Sequence, residues 1–189
     1  MAEKALNPEN VSVYNTCEGG VAFFAPKGTA VPTEFCTPDK LDPAFKSLGD
    51  MSDDGIDMSI DSSSTDYKNI NGSIVLSTSE GKTRKITLPM IETKRATVEE
   101  IYNGKVTLGT GGDIKSVDMS NAESAEGVLV VYELLSDGTI RMFVYDRAKP
   151  SEFGTQSHKK KGLIVSEVTF TALDNGKNSV GTIFYGVAA

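Results

Sequence analysis

The chain has no tryptophan, a single histidine, two cysteines in 189 residues and a deficit of positive charge. Each shortage removes a class of function. With aromatics at 7% and no Trp, the exposed ring platform of a carbohydrate-binding module has little to be built from. A formal charge of −7 argues against a sequence-reading DNA binder, which neutralises phosphates with Lys and Arg. His158 lies between Ser157 and Lys159-Lys160-Lys161, and nothing in the spacing offers the oriented base and facing nucleophile of a catalytic triad. The expectation is no enzyme, no catalytic residue and no cofactor. Cys17 and Cys36 have neither metal-type nor redox-type spacing; one disulfide stays open, and two reduced thiols are the favoured state. No apolar run approaches the roughly 18 residues of a membrane span, and Met1–Pro8 lacks the apolar region of a signal peptide. Synthesis in a cytoplasm, without a membrane partner, is expected.

What is present reads as strands. Residues 1–18 carry little periodicity and are read as an N-terminal arm, with 19–189 as one domain. Val21–Ala25 is a first strand, followed by the turn signals Pro26-Lys27-Gly28 and Val31-Pro32-Thr33. Leu41, Phe45 and Leu48 recur at helical spacing, with Pro43 admissible only in a first turn. Residues 49–69 form a long polar segment read mainly as a loop, although Ile56, Met58 and Ile60 alternate as in a strand. Ile74 and Leu76 begin another strand, Glu80-Gly81-Lys82 turns the chain, and Ile86, Leu88 and Met90 share one face of the next. Val98–Asn103 is the expected helix, with Thr97 and Glu100 in capping-box spacing and Gly104 at the stop.

Gly127–Leu135 and Ile140–Tyr145, joined by Ser136-Asp137-Gly138-Thr139, make the clearest hairpin. Phe143 and Tyr145 take one face, and Ile140, Met142 and Val144 the other. Two apolar faces predict burial on both sides or contact with another subunit. Asp146–Lys161 is read as a polar connection, and Leu163–Ala172 and Val180–Val187 as closing strands. The sum is a mainly β protein, a β-sandwich or barrel with one flanking helix.

Two short motifs imitate binding sites. Gly109-Thr110-Gly111-Gly112 lacks the Gly-Lys-Ser/Thr ending of a phosphate loop and is read as a turn. Asp50, Ser52, Asp54, Gly55 and Asp61 follow the spacing of an EF-hand calcium loop. The twelfth position holds Asp rather than the longer Glu, and its downstream flank alternates like a strand, so no metal site is assigned.

The succession APxGTxxPT, LDxAFxxLG and SDDG, within Gly19–Gly55, resembles the N-terminal part of major tail proteins, the tail tube subunits of long-tailed, siphovirus-type bacteriophages. More loosely the likeness extends over Ile91–Gly104 and Glu167–Ala172. It departs at Lys68–Gly72, where many members have an aromatic residue, and a bare tube module is expected, without the C-terminal immunoglobulin-like domain that some members carry. The resemblance implies a structural virion protein forming stacked hexameric rings of a tail tube, a negatively charged conduit for genome ejection. It implies as partners other copies of the chain, a tape measure protein, tail terminator and distal tail proteins, and DNA passing the lumen without specific binding. Host bacterial cytoplasm would be the place of synthesis and the virion tail the destination. Contacts between rings are expected from Asp53, Asp54, Ile56, Met58, Ile60, Asp61 and Asp66. The competing readings are a non-enzymatic binding module and a capsid decoration protein of β-sandwich type.

Overall fold

The computed structural model describes residues 11–17, 20–119 and 123–187, with only the backbone of Glu80. It is mainly β, 51% strand and 6% helical. The organising hairpin is β8 (Gly127–Leu135) with β9 (Thr139–Phe153). Beside β8 lies β2 (Ala22–Pro26), which in turn pairs with the short β3 (Lys46–Ser47), while β1 (Tyr14–Asn15) continues along the same side of β8. Strand β9 is longer than any one partner and forks the sheet. Its first half, 139–145, pairs with β11 (Gly181–Val187), and its second half, 148–153, with β10 (Ser166–Ala172). Beyond β10 lie β5 (Ile74–Met90) and then β4 (Asp57–Lys68). All the pairs are antiparallel.

The fork turns one sheet into two facing layers. Ala22, Leu129, Val131, Phe143 and Tyr145 on one layer meet Ile86, Leu88, Met90, Val168 and Phe170 on the other. Val98 closes the end of this core from helix α1 (Ala96–Tyr102), so the helix docks as its apolar side predicts. The opposite face of β2, β8 and β9 is also buried. Phe23, Val128, Val130, Tyr132, Met142 and Val144 are covered there by Val31, Phe35, Cys36 and Leu41 of the loop after β2. The two apolar faces of the 127–145 hairpin are thus both satisfied within the chain. Loop and hairpin are locked where the Tyr132 hydroxyl donates to the Cys36 carbonyl at 2.9 Å, with Phe23 edge-on to the same ring.

Several expectations are corrected. The helical spacing of Leu41, Phe45 and Leu48 is not a helix. Asp42 accepts from the Ala44 amide at 2.8 Å in a local turn, and the chain then crosses the sheet edge. Phe45 enters one core and Leu48 the other. The segment 49–69 is a loop only to Ile56; Asp57–Lys68 is strand β4, because β5 supplies a ladder for it from Thr87 to Ile74. Glu80-Gly81-Lys82 is not a turn but a bulge inside the continuous β5: Ser62 opposes Lys82 while Ser64 opposes Ser79, and Gly81 takes φ +101°. The polar connection begins later than read, since β9 runs on to Phe153. Thr97 lies inside α1 rather than at its cap; Arg95 precedes the helix and forms an ion pair with Glu92 at 2.5 Å. After the helix comes a hairpin absent from the sequence reading, β6 (Gly104–Leu108) with β7 (Ile114–Met119), and Gly109–Asp113 is its turn. Of the arm read over 1–18, residues 1–10 and 18 lie outside the described residues, as does Gly19.

Candidate assembly surfaces

Three features of this fold are left open to solvent. The first is the β4–β5 hairpin, which leaves the body as an arm. From Ser59 and Arg84 outward nearly every residue of both strands is exposed. At about 3.3 Å per residue the eight residues from Asp61 to Lys68 reach roughly 25 Å. The arm is not a loose loop. At its tip Asn69 Oδ1 accepts from the amides of Asn71 and Ser73, both at 3.0 Å, and Gly72 takes φ +81° to close the turn. Yet its outer half carries Tyr67, Ile70, Ile74, Val75 and Leu76 in water, with Ile70 fully exposed. Such apolar side chains on both faces of a two-stranded ribbon are unusual in an isolated molecule.

The second feature is a set of unpaired strand edges. Among the described residues β4 pairs only with β5, and β9 beyond Ala148 pairs only with β10. The layer β4–β5–β10–β9 therefore ends in a free edge on each side. Pro150 in β9 suits an edge, where a missing amide costs least. The third feature is the outer face of that same layer, opposite the core. It is rich in hydroxyls: Thr87 and Thr169 meet at 2.9 Å, and Thr171 donates to Ser151 at 2.8 Å. Lys85 donates to Glu152 at 2.7 Å and lies 3.8 Å from Asp61. The Glu152 hydrogen bond, before any other cause, holds the Lys85 ammonium above its usual pKa.

The residues expected between rings are dispersed by the fold. Asp53 and Asp54 sit in a turn closed by Gly55 N to Ser52 O at 3.0 Å, and the Ser52 hydroxyl donates to Asp54 at 3.0 Å. That turn is at the Met90 end of β5, the far end from the arm tip. Ile56 and Met58 pack against the core, whereas Ile60, Asp61 and Asp66 lie on the arm. The EF-hand spacing does not converge either, because Asp61 is drawn along β4 towards Lys85. Among the described residues no group of three or more His, Cys, Asp and Glu is placed to hold a metal. His158 is exposed in the loop after β9. The tip residues Tyr67, Ile70, Ile74 and Val75 are absent from the sequence-derived set. Asn71-Gly72, with Tyr67 and Ile70 before it and the apolar run Ile74-Val75-Leu76 after it, was the signal that could have found them.

A family model described as "Phage tail tube protein" matches residues 4–183, nearly the whole chain. No curated protein matches. Among solved structures the chain is similar to a cryo-EM structure of the anti-feeding prophage cap (AFP tube terminating cap), at 10% identity and a TM-score of 0.38, over 98% of this chain and 100% of that one. A likeness that low carries no argument by itself.

Proposed function

The chain belongs to the phage tail tube protein family and is a structural protein of the virion tail, and from that premise we propose that six copies close into rings that stack into a hollow tube. The observation that carries this reading is the layer with a free edge on each side. Strand β4 of one copy and residues 149–153 of β9 in the next would continue the sheet around a channel, removing edges that are a liability in a monomer. The outer face of that layer would then line the lumen. Asp57, Asp61, Glu152 and Glu167 outnumber Lys85 and Lys149 on it. A ring carries 6 × −7 = −42 formal charges. A wall of that sign with small hydroxyls repels phosphate and lets DNA slide. The arm would reach an adjacent ring. A tape measure protein, terminator and distal tail proteins would meet the same rings at their inside and ends.

Negative-stain microscopy of the concentrated protein tests the reading. Tubes with six-fold end views are expected. Discrete small oligomers or persistent monomers would overturn ring closure through these free edges.

A further inference from the structure

Where the sheet forks, β10 and β11 part from one another along β9, and a groove of about 950 Å³ opens between β11 and the layer of β4, β5 and β10. Its walls are Met58 and Ile60 of β4, Arg84 of β5, Phe143 and Tyr145 of β9, and Ile183 of β11. The Tyr145 hydroxyl approaches the Met58 sulfur at 3.6 Å and closes the floor. Among the described residues β11 pairs only with β9, so its edge away from β9 is open. Ile60 and Ile183 stand about half exposed on its walls, and Tyr185 continues the apolar stripe along β11. Lys82 and Arg84 at its rim form no ion pair among the described residues.

We propose that this groove is the receptor for the arm tip of a second copy of the chain. The arm supplies what the groove lacks: Tyr67, Ile70 and Ile74 to cover apolar walls, and Asp66, which forms no ion pair among the described residues, to set opposite Lys82 and Arg84. The arm cannot fill the groove of its own subunit. Its root, Ser59–Ile60 with Lys82–Arg84, is itself a wall of the groove, and the strands run outward for roughly 25 Å before turning. The contact is therefore head-to-tail: tip and receptor are different surfaces, so every subunit that docks offers a fresh receptor. A heterologous contact of this kind closes into a ring or runs on as a filament according to the rotation between neighbours, and between stacked rings it runs on along the tube axis. The inference rests on the stacked-ring reading and adds to it which surface receives the arm.

The test uses two variants that block opposite ends of the contact. Ile70→Asp removes the tip and keeps the groove, while Ile183→Asp spoils the groove and keeps the tip. Both positions are exposed, so both variants are expected to fold with unchanged circular dichroism. In sedimentation velocity each alone should lose long polymer. Their equimolar mixture should recover a limited complex, sedimenting faster than either variant, because one intact tip meets one intact groove. With Cys17 and Cys36 replaced by Ser, an Ile70→Cys subunit should also form a disulfide with an Ile183→Cys subunit and with no copy of itself. A mixture no larger than its components, with no 70–183 cross-link, overturns the proposal. Long tubes from Ile183→Asp, with none from Ile70→Asp, would overturn the groove assignment and leave the stacked-ring reading standing. Long tubes from both variants would overturn the role of the arm as well.

Discussion

Tyr132 shows how one side chain ties a loop to the sheet. Its ring is fully buried, burial pushes its phenol pKa up, and its hydroxyl is committed to the Cys36 carbonyl. Tyr132→Phe keeps the packing but leaves that carbonyl short of a donor, a loss of about 1 kcal/mol. A lower urea midpoint at unchanged m-value would register it; no shift at all would mean that water replaces the hydroxyl. Gly49 is a crowded backbone position beside Glu92 and Arg95. It takes φ +80°, and a Cβ there would stand 2.6 Å from the Glu92 carboxyl carbon. Gly49→Ala should therefore destabilise by about 1–2 kcal/mol from the backbone alone. The Glu92 carboxylate, which accepts from Asp50 N and Arg95 Nε, must move besides. Glu126 sets an acid limit. Hydrogen bonds from Arg147 and then Lys27 hold its carboxyl down to about 2 from an ordinary 4.5. A depressed pKa contributes stability that is complete above pH 4.5 and is lost as pH falls towards 2. Glu126→Gln should flatten the stability profile across that window and leave other slopes unchanged.

At the scale of elements, the arm and the body answer to different forces. The body is held by two cores, whereas the outer arm holds together through its own ladder and the hydrogen bonds of Asn69. The two can therefore be separated. Excising residues 65–78 and joining Ser64 to Ser79 through Asn-Gly removes both strands of the outer arm in register. Removing residues 61–67 alone would strip β5 of its partner. The paired excision should leave the melting temperature nearly unchanged, since it deletes no buried side chain, and should abolish long tubes. A folded truncation that still polymerises would place the stacking contact elsewhere.

For the whole molecule, assembly sets hydrophobic and strand-edge contacts against like charge. At −7 formal charges per copy, subunits repel one another at low ionic strength. The concentration needed for tube formation should fall as salt is raised from about 10 to about 150 mM, the range over which the Debye length shrinks from roughly 30 to 8 Å. Turbidity or pelleting against salt checks this. A requirement that rises with salt would mean that closure depends on attraction between opposite charges, with Lys159–Lys161 the first group to examine.

Much of the fold was legible because its signals are local. The alternation of Phe143 and Tyr145 against Ile140, Met142 and Val144 follows from a period of two, which any strand imposes. The placement of Val98 follows from helical spacing, and the shortage of His, Cys and Trp needs no structure to be read. What covers each face is a different question. Leu41, Phe45 and Leu48 fit a helical period by coincidence, and only the position of the sheet edge sends Phe45 to one core and Leu48 to the other. Asp57–Lys68 is too polar to announce a strand and becomes one because β5 offers it a ladder. The fork in β9 was invisible for the same reason: one strand with two partners on the same side is decided by contacts distant in sequence. Local periodicity set the elements, and tertiary pairing alone decided which faces were buried, which edges stayed open and where the arm left the body.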